Sequence, residues 1–176
     1  MNNGLDMLGM GLLTQNLVLL QGLGMYALTR HTKTVDGAAK AGGAMLGAMA
    51  TGGLAAWLLG TLAIPESLVF LTYLAAACLS AFFWQRLLGM PSSLSGGLLD
   101  SALVGLLLLL AREQVTGFAA VAYAVSAGLG YWLALIIVAS LRQRLELAPI
   151  PKAFRGVPLI LITAGLLGMA LLGFRL

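Results

Sequence analysis

The sequence predicts an all-α, polytopic membrane protein with about six transmembrane helices. Of its 176 residues, 60% are hydrophobic and only 9% charged, where a soluble domain carries about a quarter charged residues. That much apolar surface cannot be hidden in one small core, because too little polar surface remains to cover it. The apolar residues also fall into six continuous stretches rather than alternating, which argues for helices and against strands. Threading the chain through a bilayer six times then sorts its basic residues by side.

The first stretch, residues 5–28, lacks a basic leader and a small-residue cleavage site and has Asp6 near its start, so it reads as a retained span. It carries the amides Gln15, Asn16 and Gln21, of a type that bonds across packed helices. The second, 39–63, holds Gly42-Gly43, Gly47 and Gly52-Gly53, small residues that let helix backbones approach closely. The third, 67–88, contains the single cysteine, Cys78, within an apolar run that suits a small lipid- or helix-facing residue. The fourth, 94–111, is the shortest and contains Asp100; the fifth and sixth are 116–140 and 156–174. Ile64-Pro65-Glu66 and Met90-Pro91-Ser92-Ser93 make short links, while 29–38 and 141–155 are polar, basic connections, the latter broken by Pro149 and Pro151. Residues 1–176 read as a single transmembrane domain.

Alternating spans send Arg30, Lys33, Lys40, Arg86, Arg142, Arg144, Lys152 and Arg155 to one face and only Arg112 and Arg175 to the other. Basic loops stay in the cytoplasm, so both termini are expected on the external (periplasmic) side of a bacterial inner membrane. The net charge of +4 is thereby assigned to topology and the lipid bilayer, and no nucleic acid partner is expected.

Near the C-terminus stand Arg144-Leu145-Glu146, Pro151-Lys152-Ala153-Phe154-Arg155-Gly156, Leu161-Ile162-Thr163-Ala164-Gly165-Leu166 and Gly173-Phe174. Weaker pieces are Asn16-Leu17-Val18-Leu19-Leu20-Gln21 with Leu23-Gly24, and Arg86-Leu87-Leu88-Gly89. Together they resemble the Rnf/Nqr family of membrane subunits, above all the A subunit of the Rnf electron-transport complex. The resemblance implies two inverted three-helix repeats whose first helices, spans one and four, are interrupted near the midplane. Gly22-Leu23-Gly24 and Ser95-Gly96-Gly97 suit such breaks; ordinary close helix packing is the other reading of each.

The resemblance also implies a homologous six-helix partner, and flavin and iron–sulfur clusters in the wider complex. Family members place one cysteine in span one and one in span four, thought to hold a cluster shared with the partner. Here the first position is Tyr26, and the second is Ser101 or Leu99, depending on the alignment. Cluster iron needs thiolates, so this chain is expected to bind no cofactor alone. Asp100 is the acidic residue inside a predicted span, an ion-path candidate or a hydrogen-bonded acid near a span end. His31 stands alone in a basic loop, and Trp57, Trp84, Tyr131 and Trp132 read as packing or interface anchors. The basic residues Arg142, Arg144, Lys152 and Arg155 set topology or meet anionic lipid or a soluble cytoplasmic partner. No phosphate loop, catalytic triad or dinucleotide fingerprint occurs. The function expected is a scaffold or ion-path subunit of an ion-translocating electron-transport complex, not catalytic alone. The alternative is a cofactor-less relative acting as a small transporter or assembly factor.

Overall fold

The computed structural model describes residues 16–62, 65–88, 100–113, 115, 117–149, 151 and 154–173. Among them are six α-helices and no strand, as the all-α expectation requires. They are α1 (Met25–His31), α2 (Val35–Gly60), α3 (Glu66–Leu87), α4 (Ser101–Arg112), α5 (Phe118–Glu146) and α6 (Val157–Leu172). Helices α2, α3 and α5 are long and apolar enough to cross a membrane, whereas α4 and α6 are apolar but shorter, at 12 and 16 residues. At 1.5 Å per residue α4 covers about 18 Å, little more than half of a hydrocarbon core.

Three boundaries differ from the sequence expectation, each for a local reason. Helix α2 begins at Val35 rather than 39, because the Thr34 side chain accepts from the Gly37 N–H and Asp36 sits in the first turn. Helix α5 runs on to Glu146 rather than 140. Its extension, Leu141-Arg142-Gln143-Arg144-Leu145-Glu146, is built of good helix formers and stops only before Pro149. Helix α4 begins at Ser101, and Asp100 is its N-cap, so Asp100 does not lie within a continuous spanning helix. The expected link 90–93, the expected break at Ser95-Gly96-Gly97 and the alternative ligand position Leu99 lie outside the described residues.

Part of span one is not helical. Residues 16–24 form turns, Gly22 and Gly24 take positive φ, and α1 begins only at Met25. Asn16 organises this segment. Its Oδ1 accepts from the Val18 and Leu19 N–H groups at 3.1 Å each, and its carbonyl accepts from Leu20 and Gln21. Its Nδ2 donates to the Gly130 carbonyl on α5 at 3.0 Å, tying the break to the centre of the protein.

That centre is the α2–α5 seam, the most extensive helix contact. In the most apolar stretch of α5, 56% of residues are buried, against 28% for α3, so α5 is the central helix and α3 a peripheral one. Small residues set the seam. A Cβ added at Gly53 would stand 2.5 Å from the Ala124 Cβ and 3.4 Å from α5 backbone. Trp132 stacks into the space left by Gly42 and donates to the Ala39 carbonyl at 3.0 Å. On the outer side, α3 exposes Leu68, Phe70, Leu71, Leu79, Phe82 and Phe83, a surface suited to hydrocarbon rather than water. Cys78 is exposed on this helix.

Two substitutions test this packing. Gly53→Leu is expected to lower stability by about 1–3 kcal/mol, read as a lower unfolding midpoint in detergent. Gly43→Leu, where no heavy atom lies within 4 Å, is expected to be tolerated. Asn16→Ala strands the buried Val18 N–H and the neighbouring Leu19 N–H, at a cost of about 1–3 kcal/mol. Hydrogen exchange should then quicken at residues 18–21 before anywhere on α5.

Candidate functional site at the helix breaks

The start of α1 meets the start of α4. Gly24 caps α1 in the left-handed region (φ 82°), and its N–H donates to Ser101 Oγ at 2.9 Å. A side chain is excluded there on two counts. The backbone is of a kind that L residues rarely adopt, and a Cβ would lie 2.8 Å from the Tyr131 ring and 3.1 Å from Asp100 Oδ2.

Asp100 sits between these two helix starts, only 4% exposed. Its Oδ1 accepts from the Ser101 N–H at 2.8 Å and from the Ser101 hydroxyl at 3.4 Å. Its Oδ2 accepts from the Tyr131 hydroxyl at 3.1 Å. Tyr131 comes from the middle of α5 and is 1% exposed. Asp100 is therefore hydrogen-bonded both to its neighbour and to another helix, with hydroxyl and amide donors in place of a cation.

Tyr131 is the member of this cluster that the sequence does not reveal. In the sequence it reads as a packing or anchor aromatic, and 31 positions separate it from Asp100. Only the fold brings a phenol to that carboxylate, and no local pattern signals the pairing.

Tyr26, two residues beyond Gly24, is 46% exposed, and its hydroxyl accepts from Arg30 Nη1 at 2.6 Å while the guanidinium lies 5.7 Å from its ring centre. Gln21, Gly22, Arg30 and Ser101 are exposed as well. At the far end of α1, Arg142 Nη1 on α5 donates to the Thr29 carbonyl and the Thr32 hydroxyl, each at 3.5 Å. His31, in the polar connection after span one, is half-buried. Burial and the neighbouring Arg30 hold its imidazole below its ordinary value, with Asp100 opposing them.

The structure thus brings the start of α4 next to the non-helical segment of span one, with Ser101 beside Gly24. The side chains present do not fit an iron–sulfur cluster. Tyr26 and Ser101 offer hard oxygen where cluster iron takes thiolate, and Cys78 lies apart on α3. Among the described residues no three His, Cys, Asp or Glu side chains are grouped to hold a metal ion.

The profile of a family described as "Rnf-Nqr subunit, membrane protein" matches residues 98–176. The A subunit of the ion-translocating oxidoreductase complex of Sodalis glossinidius (strain morsitans) is 31% identical over 188 aligned positions, covering 98% of this chain and 96% of that protein. Its namesake in Escherichia coli (strain K12 / DH10B) is 31% identical over 177 positions, covering 92% of this chain and 91% of that protein. A shorter match, 43% identical over 75 residues, covers 43% of this chain and 39% of the protein of that name in Syntrophotalea carbinolica. With near full-length similarity at that level, and apolar helices in which span one is broken, this chain belongs to the Rnf-Nqr family of membrane subunits.

Proposed function

We propose that this chain is an integral membrane subunit of an ion-translocating oxidoreductase complex, lying in the bacterial inner membrane with both termini external. Its relatives of nearly equal length are named as the A subunit of such a complex. The orientation rests on the basic residues, eight of ten falling on one face.

One observation carries the partner assignment. Residues 21 and 22 belong to non-helical backbone in span one, and they are exposed, as are Tyr26 and Ser101. Irregular backbone at membrane depth does not face lipid, because its polar groups find no partners there; it is covered by protein or lines a wet cavity. The break face is therefore read as the contact with a homologous six-helix subunit. In that interface this chain supplies scaffold and, at Asp100, a point on the ion route. Flavin and cluster chemistry belongs to the partner subunits, since the facing side chains here are Tyr26 and Ser101.

A second reading takes its support from those same oxygen side chains: a relative that works outside the redox complex, as a small transporter or an assembly factor. Pull-down at native expression in mild detergent separates the two. Recovery of a homologous six-helix subunit with flavin- or cluster-carrying partners is the expected result; recovery alone or as a homo-oligomer would transfer the assignment to the second reading. The absence of cluster ligands has its own check. Co-purified with the homologous subunit only, the wild-type chain is expected to bring no stoichiometric iron, and iron in stoichiometric amount would overturn the ligand assignment.

A further inference from the structure

The ion-route reading leaves open what Asp100 carries, and resting on that reading we propose that the Asp100–Tyr131 pair binds a proton and not a metal cation. The donor set decides. Among the described residues, every hydrogen-bond partner of the carboxylate is a donor: the Ser101 N–H and hydroxyl on Oδ1, and the Tyr131 hydroxyl on Oδ2. A hard cation needs several oxygen lone pairs directed at it, and transporter sites supply them from unwound carbonyls and helix C-terminal ends. Here two helices meet at their amino ends, and the groups turned inward are the Gly24 and Ser101 N–H groups. Their partial charge is positive and opposes a metal ion.

Space argues the same way. A single added carbon at Gly24 would already lie 2.8 Å from the Tyr131 ring and 3.1 Å from Asp100 Oδ2. On the Gly24 side of the carboxylate there is no room for a hydrated ion. A proton needs no cavity, because it resides on the carboxylate itself.

In both protonation states the carboxyl stays hydrogen-bonded to the same residues. With Asp100 ionised, Oδ1 and Oδ2 accept the three hydrogen bonds just described. With the proton on Oδ2, that O–H donates to the Tyr131 oxygen, which becomes an acceptor while the phenol's own O–H gives up Oδ2 as its partner. Ser101 stays in place through both, since its hydroxyl accepts from Gly24 N–H whatever the state of Asp100. Among the described residues no other charge substitutes for the proton. On α5 the facing ionisable group is Tyr131, on α4 there is none in contact, and on α1 His31 interacts with Asp100 only electrostatically, beside Arg30. A buried carboxylate without a contacting cation is neutralised by its own proton.

Infrared difference spectroscopy of the purified full chain in lipid nanodiscs tests this independently of any partner. The expected result is a protonated-carboxyl C=O band that Asp100→Asn abolishes and that titrates away as pH rises. Its midpoint should be the same in sodium and potassium chloride at equal ionic strength. In Tyr131→Phe, which removes one donor from the ionised form, the midpoint should rise by about one unit. A midpoint that falls with increasing sodium would make Asp100 a cation site and overturn the proposal. So would the absence of any Asp100-dependent band across the accessible pH range, which would make it a fixed anion. Neither outcome bears on complex membership, which co-purification decides.

Discussion

Backbone that leaves the helix inside a membrane must find partners for its amides within the protein, and the arrangement around span one follows from that requirement. Asn16 supplies one part of the answer through its side-chain oxygen and carbonyl, which take up the N–H groups of residues 18–21. Ser101 supplies another by accepting from Gly24 across the break. Asp100 then caps the helix on which Ser101 stands. Two of these polar side chains serve a second element as well: Asn16 reaches α5 through Gly130, and Asp100 reaches it through Tyr131. The central helix is thus the common support of both breaks.

That support must be rigid, and the means is close approach rather than bulk. Without a hydrophobic driving force between helices in lipid, packing at small residues carries much of the association. Gly42 and Gly53 on α2 let that helix settle directly onto α5, where Trp132 and Ala124 fill the space. Gly128 on α5 does the same from the other side, with the backbone of Leu46 at 3.2 Å from its would-be Cβ. Glycine that would weaken a water-soluble helix is here what positions Tyr131, a few residues along the same seam.

Much of this was legible from residue order alone. The helical class, the long helices α2, α3 and α5 and the family resemblance follow from hydropathy and short specific runs that need no tertiary information, and that resemblance implied the break for which Gly22-Leu23-Gly24 is suited. The cross-helix role of an amide in span one was also readable in kind, and Asn16 fulfils it. The start of α4 was not. The resemblance implies a break in span four, but an apolar run that includes Asp100 does not say where the helix starts, because hydropathy averages over a window and cannot see a cap. Tyr131 escaped for a different reason: its partner is distant in sequence, and an aromatic in a span has packing as its ordinary use.

The presence of oxygen rather than thiol at the two breaks changes what their proximity is for. A pair of cysteines on facing breaks can be joined through metal, and the backbone on each side then depends on that metal for its spacing. With Tyr26 and Ser101 in those places, the spacing is held without metal, by the 2.9 Å bond from Gly24 to Ser101 and by the Asp100 carboxylate beneath it. In its ionised form Asp100 also supplies negative charge where both helix starts present positive. The face above is exposed, with Tyr26 and Arg30 bonded to each other on it. On the proposed reading an interface and a cofactor are separable at such a site, since Tyr26 and Ser101 offer oxygen where cluster iron takes thiolate.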